Sequence, residues 1–485
     1  MKQTEATKKK NVCKKAGIIL FWLFVWQLAQ LAVANEVLLA GPMQVIKYLA
    51  SQIGKKEFWQ VILSSVMRIG LGFFLAFFTG IVLGAVSHRY SFVKELLEPV
   101  ISVFKSIPVA SFVVLILIWF GSKQLSFFCS FLVAFPNVYE SILTGLAHVD
   151  REMKELMDVY QVPCSKKIMY LYVPAIFPYL TNSLRTCLGM SMKSGVAAEV
   201  IGTPEFSIGE RIYMSKVYLD TSGILGWTIV LITVSFLLEK GILWVFFKFG
   251  ELKPFLKGGK VAYDKNKKKQ PEAKPWLFID KVSKSYGKHQ ILKDFELTCQ
   301  LATTYCIKGP SGIGKTTLLK ILAGLEPVDA GKIYFVNSQK KPEYHVSEQG
   351  KKDKKYKLKA AMVFQNSRLN ERLSAVDNVM LTAESGGSIT RNMAEKELVR
   401  LLPKDCINMP VSQLSGGMRR RVEIVRAMNA ECQLVLLDEP FMGLDKENKE
   451  KAAAYIQEKR AEKTIFVSVH SEEECRMLHG ILVEI

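Results

Sequence analysis

Up to about residue 247 the chain repeats one pattern: apolar stretches of about 20 residues joined by short polar segments. A helix rises about 1.5 Å per residue, so each stretch matches a hydrocarbon core about 30 Å thick. In lipid every backbone polar group must be satisfied inside the segment, which leaves an α-helical bundle as the form for such runs. The runs place spans near Ala16 to Ala34, Val61 to Ser87, Pro99 to Phe120, Leu125 to Ala147, Val173 to Val200 and Ile224 to Phe247, six in all. Lys2, Lys8, Lys9, Lys10, Lys14 and Lys15 precede the first span against a single acid, Glu5, so the N-terminus belongs in the cytoplasm. Six spans return the chain to that side, where Arg89, Lys94, the stretch from Arg151 to Lys167 and everything after Lys248 also fall; Lys47, Lys55 and Lys56 dissent. Ala32-Val33-Ala34 resembles a signal cleavage site, but Trp22, Trp26, Gln27 and Gln30 suit a retained helix with a packing face better.

Beyond residue 247 the solvent changes. Lys265, Lys267, Lys268 and Lys269 mark a solvated connector over 248–275, suited to lie beside anionic lipid. From Trp276 onward no apolar run is long enough to span, and short apolar strands (Tyr305 to Lys308, Ala361 to Phe364, Leu434 to Leu437, Ile465 to Val469) alternate with helical patterns. The expected architecture is therefore a polytopic α-helical membrane domain over 1–247, the linker, and a soluble α/β domain over 276–485. Lys and Arg exceed Asp and Glu by 65 − 45 = 20, and much of that surplus follows from membrane topology. The Lys-rich stretch from Lys340 to Lys359 reads as a solvated surface loop, and no nucleic-acid partner is expected. The 9 cysteines form no CxxC pair, which points to a reducing compartment without a disulfide framework or zinc site.

The soluble half carries phosphate chemistry. Gly309-Pro310-Ser311-Gly312-Ile313-Gly314-Lys315-Thr316 follows an apolar strand and precedes a helical run from Thr317 to Ala323, the context that a GxxxxGK[ST] loop requires. Glycine lets the backbone wrap a phosphate closely. The loop amides and the helix N-terminus would hold the β- and γ-phosphates of ATP, Lys315 would add a charge, and the Thr316 hydroxyl would be a Mg²⁺ ligand. Leu434 to Leu437 is a buried strand ending in Asp438 and Glu439. Beside a phosphate loop, Asp438 can reach the metal ion through water, and Glu439 can orient or deprotonate the attacking water.

Leu414-Ser415-Gly416-Gly417-Met418 stands just ahead of a basic helix, Arg419 to Met428, and resembles the signature motif of ATP-binding cassette (ABC) transporters. With it, Gln365 resembles the Q-loop glutamine near the metal, Gly443-Leu444-Asp445 the D-loop, His470 the switch histidine and Tyr286 the aromatic that stacks on adenine. The resemblance implies an ATPase with Glu439, His470 and Lys315 in catalysis, and a nucleotide contacted by Tyr286, by Gly309 to Thr317 and by Ser415, Gly416 and Gly417. In that family one subunit's signature closes over the ATP held by the other's phosphate loop, so a second copy of this chain is implied.

In the membrane half, Glu155 and Val173-Pro174 resemble the cytoplasmic coupling loop of binding-protein-dependent importer permeases, with Gln161 where the family has glycine. Trp119-Phe120-Gly121, Phe135-Pro136, Gly145, Arg185 and Ala198-Glu199 resemble the nitrate, sulfonate and taurine permease group. Ala76, Gly80 and Gly84, recurring every four residues, read as a helix-packing stripe. Arg185 lies roughly 18 Å into its span from Val173, too deep to snorkel easily, so it should face the translocation path or a partner such as a carboxylate. Lys193 lies near the same face, and two cations there would suit an anionic ligand.

Together these imply an importer half, with permease and ATPase fused. It would work as a homodimer with a separate substrate-binding protein in a prokaryotic cytoplasmic membrane, carrying a small solute such as a sulfonate or nitrate. A thiamine precursor or other aromatic heterocycle is the alternative cargo, and a membrane ATPase without transport is the alternative class.

Overall fold

The computed structural model describes residues 2–33, 35, 37–250, 275–287, 289–310, 312–336, 342–347, 358–383 and 389–485. Residues 251–274 of the expected linker, most of the Lys-rich stretch and Ser311 lie outside the described residues. The chain divides into two compact units, Met1–His148 with Pro174–Lys253, and Val149–Val173 with Pro254–Ile485.

The helices of the first unit are α1 (Lys2–Val33), α2 (Pro42–Ile53), α3 (Lys56–Arg89), α4 (Ser91–Ser106), α5 (Val109–Phe120) and α6 (Leu125–Ala147). After α7 (Arg151–Val159) and α8 (Cys164–Lys167), which belong to the second unit, follow α9 (Val173–Gly202), α10 (Ile208–Val217) and α11 (Thr221–Gly250). Among the described residues three helical stretches are long and apolar enough to cross a membrane: α3, Ser122–Ala147 and Thr221–Lys248. A fourth span exists if α4 and α5, bent by 103° at their junction, count as one. The six expected spans are thus not all picked out by length and apolarity alone. The third expected span breaks because Ile107, which precedes Pro108, is held in extended backbone at φ −78° and ψ 129°, where a helix cannot continue. The apolar part of α1 is short, Gly17–Val33. Helix α9 carries Arg185, Lys193 and Glu199 along its length and falls below the hydropathy of a span.

The small-residue stripe packs α3 against α6. Ala76 is fully buried, a Cβ on Gly80 would come within 2.9 Å of Val138 Cγ1, and one on Gly84 within 2.8 Å of Ile142. Gly72 extends the stripe by one turn, since a Cβ there would meet the Phe127 carbonyl oxygen at 2.1 Å. Only glycine lets the two backbones approach this closely.

In the second unit a parallel sheet forms the centre. Its strands are β3 (Thr304–Lys308), β6 (Ala360–Val363), β7 (Leu434–Asp438), β8 (Thr464–Ser468) and β9 (Ile481–Glu484), in the order β6-β7-β8-β3-β9. Strands β6, β7 and β8 are buried throughout, as expected when helices cover both faces. An antiparallel sheet of β1 (Pro275–Tyr286), β2 (His289–Gln300), β4 (Ala330–Val336) and β5 (Pro342–Ser347) runs in the order β2-β1-β4-β5. The remaining helices are α12 (Lys315–Leu322), α13 (Ala375–Thr382), α14 (Arg391–Val399), α15 (Gly416–Met428), α16 (Lys446–Lys459) and α17 (Glu472–Met477).

Candidate nucleotide site and docking segment

Parallel pairing sets Ile307 of β3 and Asp438 of β7 on either side of Ser468 in β8, so the C-terminal ends of three adjacent strands open at one place. The chain leaves β3 through the phosphate loop and enters α12 at Lys315. Gly314 precedes the helix at φ 116°, in a region closed to other residues, and a Cβ there would strike Ile291 at 2.6 Å. Lys315 is 8% exposed, and its Nζ donates to the carbonyls of Gly309 at 2.7 Å and Pro310 at 3.0 Å. The loop thus holds its own lysine among backbone oxygens that a phosphate would replace. Thr317 lies in the first turn of the same helix.

Asp438 is buried, and its Oδ1 accepts from the Ser468 hydroxyl at 2.7 Å. Burial pushes its carboxyl above the usual carboxylate range, while the hydroxyls of Ser468 and Thr316 pull the other way. Its Oδ2 is buried with no hydrogen-bond partner. A carboxylate oxygen left free beside a threonine hydroxyl is the hard-oxygen donor set that suits Mg²⁺, so Asp438 and Thr316 fit the expected ion. Glu439 adopts φ 47°, its N–H donates to Ser468 Oγ at 2.8 Å, and its Oε1 lies 3.1 Å from His470 Nε2. The positive φ turns the Glu439 side chain away from the strand's path and toward His470, at a strain of about 1–2 kcal/mol.

Ser415 caps α15 by accepting from the Met418 N–H at 3.3 Å, and Ser415 and Gly416 are exposed at that helix's N-terminus. Gly417 packs under the next loop, since a Cβ would stand 3.1 Å from the Gly443 carbonyl oxygen. Asp445 caps α16, and its hydrogen bonds from Asn448 hold its carboxyl below the usual range. Tyr286 is half exposed, its hydroxyl bonded to Glu326. Gln365, just past β6, has an exposed side chain.

The segment Val149–Val173 folds with this unit. Asp150 caps α7 by accepting from Glu152 and Met153. Glu155 Oε2 then accepts from Arg368 Nη1 at 2.8 Å, three residues past Gln365. Tyr160 Oη donates to the Met362 carbonyl at 3.2 Å, and Asn370 Nδ2 donates to that of Tyr170 at 3.3 Å. Lys166 Nζ donates to the Met380 and Ala383 carbonyls at the end of α13, and partial burial lowers its pKa. Gln161, standing where glycine was expected, has φ 50° and donates to the Leu358 carbonyl at 3.4 Å. The backbone therefore keeps the left-handed conformation that glycine supplies, and the glutamine bears the strain. Gln161→Gly relieves about 1 kcal/mol of backbone strain, so it should lower the thermal midpoint of the full chain less than Gln161→Ala, which loses the same side-chain contacts and keeps the strain. Gln161→Val should lower it, since a β-branched residue tolerates positive φ worst. An unchanged midpoint in the valine variant would contradict this.

In the first unit, Pro174 sits in the opening turn of α9. Arg185 Nε lies 3.7 Å from Glu239 Oε1, and its side chain is 62% exposed. Lys193 is exposed. Glu199 is fully buried and accepts from Ser65 Oγ at 2.8 Å, Ser126 Oγ at 3.1 Å and the Gly209 N–H at 3.2 Å, with Arg68 Nε 3.6 Å away. It thus ties α3, α6, α9 and α10 together. Ser65 and Ser126 carried no signal in the sequence, because single hydroxyls on apolar helices are common; Arg68, a cation inside the expected span Val61 to Ser87, was a signal the sequence reading did not use.

Residues 292–442 match the family model described as ABC transporter, and residues 72–240 match the binding-protein-dependent transport system inner membrane component. A protein of Chlorella vulgaris, named a probable sulfate/thiosulfate import ATP-binding protein, is 32% identical over 217 residues, which are 43% of this chain and 86% of that protein. The chain belongs to the ABC transporter family. It joins, on one polypeptide, an inner-membrane permease domain and an ABC ATPase domain. The sulfate/thiosulfate import ATP-binding protein CysA of Synechococcus elongatus is 31% identical over 215 residues, 42% of this chain and 58% of that protein. The chain thus spans less than two thirds of that relative's length. A solved dimeric ATP-binding cassette bound to ADP and Pi is 27% identical over 43% of this chain and 94% of its own, with a TM-score of 0.38. Both of these named relatives are sulfate/thiosulfate import proteins, so the likeness to the nitrate, sulfonate and taurine group stays a resemblance of residues.

Proposed function

We propose that this chain is one half of an ATP-driven importer, working as a homodimer with a separate substrate-binding protein and moving a small anionic solute into the cytoplasm. The observation that carries this reading is the ion pair of Arg368 with Glu155. Arg368 follows the Q-loop glutamine by three residues, and Glu155 lies on a segment continuous in the chain with α6 and α9, so one contact joins the nucleotide site to a stretch between membrane helices.

In this reading the phosphate-loop amides and Lys315 hold the ATP phosphates; Thr316 and Asp438, with Gln365 near them, would hold Mg²⁺, which would supply charge neutralisation to the phosphates. Glu439 takes a proton from water attacking the γ-phosphate, and His470 fixes the Glu439 carboxylate through their 3.1 Å contact. ATP and water become ADP and phosphate. Ser415, Gly416 and Gly417, at an outward-facing helix N-terminus, close over the γ-phosphate held by the partner copy.

The relatives named above are sulfate/thiosulfate import ATP-binding proteins, which favours an oxyanion cargo. One observation favours the heterocycle instead. A cavity of about 240 Å³ among α3, α9 and α11 is lined by Met67, Phe73, Phe74, Leu188, Met192 and Ser235 among others, and no charged residue lines it. Vesicles bearing the full chain and its binding protein should take up labelled sulfate, taurine or nitrate only with ATP, and not when Glu439 is replaced by Gln. Uptake of a labelled thiamine precursor in their place would shift the cargo to heterocycles. ATP hydrolysis without accumulation of any of them would defeat the transport reading.

The Glu239 carboxylate favours a pairing role for Arg185 over a free cation in the path. Arg185→Gln should lower the yield of folded protein, and adding Glu239→Gln should restore it, because the orphaned acid is what destabilises. If the double variant folds normally and still fails to take up anions, Arg185 belongs to the pathway.

A further inference from the structure

Helix α15 does more than present the signature at its N-terminus. Arg420, Glu423 and Arg426, spaced three apart on one face, all turn inward; Arg420 is 6% exposed and the other two are fully buried. Each grips the backbone of the segment that carries Gln365. Arg420 donates to the carbonyls of Phe364 and of Gln365 itself. Glu423 Oε1 accepts from the Arg368 N–H at 2.6 Å, and Arg426 Nη1 donates to the Arg368 carbonyl at 2.8 Å. Within the trio, Arg420 Nη1 also donates to Glu423 Oε2 at 3.2 Å, and Arg426 Nη2 lies 3.9 Å from Glu423 Oε1. The loop is thereby fixed at both ends, residues 364–365 and residue 368, to one helix. Arg368, whose main chain is gripped on both sides, lays its guanidinium on the Phe364 ring at 3.6 Å from the centroid and reaches outward to Glu155.

Burying three ionised groups carries a large desolvation cost, and an apolar helix face would pack as well. What the charges add is directional hold on four backbone groups of an otherwise open loop. We propose that Arg420, Glu423 and Arg426 are positioning residues that clamp the Gln365 segment to the signature helix, so that both move as one body and pass that movement through Arg368 to Glu155. The inference rests on the coupling reading given above.

The test uses the full chain in lipid nanodiscs, reading ATPase kcat and KM. Glu423→Gln keeps the side chain's size and removes its charge. The expected result is KM for ATP within about twofold of the unmodified chain, because the phosphate loop is untouched, and kcat lower by about tenfold. Glu155→Gln should also lower kcat, and the double variant should be no slower than Glu423→Gln alone, since the signal to Glu155 is already lost. If Glu423→Gln does not fold, Arg420→Lys keeps the charge without the fork that spans two carbonyls, and the same pattern is expected. Losses that multiply in the double variant, or a KM that rises as far as kcat falls, would mark the trio as packing and overturn the clamp alone. An unmodified chain without ATPase activity would overturn the coupling reading and the clamp together.

Discussion

Glu439→Gln should slow ATP turnover by about 100- to 10,000-fold while leaving ATP bound, the range expected when a positioned general base is lost. The variant keeps the Ser468 bond to the Glu439 N–H and places an amide where His470 now meets a carboxylate, so the local fold has no reason to change. Lys315→Ala should do the opposite. Lys315 supplies the phosphate loop's own charge, and hydrogen bonds to charged groups contribute about 1.5–3 kcal/mol each, so nucleotide binding itself should weaken by at least about tenfold. Binding of a fluorescent ATP analogue and single-turnover hydrolysis separate the two. Equal loss of binding in both variants would show that Glu439 holds nucleotide and does not act on water.

Mixed dimers should give the second large effect. Ser415→Arg places a long cation at the exposed N-terminus of α15, where the helix end favours an anion. Dimers of the Ser415→Arg chain alone should bind nucleotide at the phosphate loop and fail to hydrolyse it. Co-assembly of a Lys315→Ala chain with a Ser415→Arg chain should restore one composite site, made of the normal phosphate loop of one copy and the normal signature of the other. Trapped nucleotide at about one per mixed dimer is the expected readout, against none in either parent. Mixed dimers that trap nothing would rule out sites shared between copies.

The nucleotide elements were legible because each couples a short motif to a backbone demand. Gly314 needs φ 116°, Asp438 and Glu439 need the end of a buried strand, and Ser415 needs a helix behind it. The expected strands accordingly fall within a residue of β3, β6, β7 and β8. The spans were less legible. Hydropathy counts apolar residues but is blind to a bend, so the break at Ile107–Pro108 passed as one continuous run, and α9 looked apolar although it carries three charged residues. Gln161 shows the reverse case, since its identity gives no hint of the left-handed backbone it adopts. Contacts such as Arg368 with Glu155 join residues 213 positions apart, and no local pattern encodes them. Glu199 was visible only as part of a dipeptide; its three donors come from three other helices.

The docking of Val149–Val173 on the ATPase unit takes place within a single polypeptide. Where permease and ATPase are separate proteins, such an interface must bind tightly enough to survive dilution. Here the two surfaces share a tether and meet at a local concentration on the order of millimolar, whatever the amount of protein in the cell. The contacts at Glu155, Tyr160 and Lys166 can therefore be individually weak and still stay occupied. A free ATPase subunit would have to reach a similar concentration to displace the tethered one, so the fusion keeps one ATPase domain with each permease domain whatever the strength of any single contact.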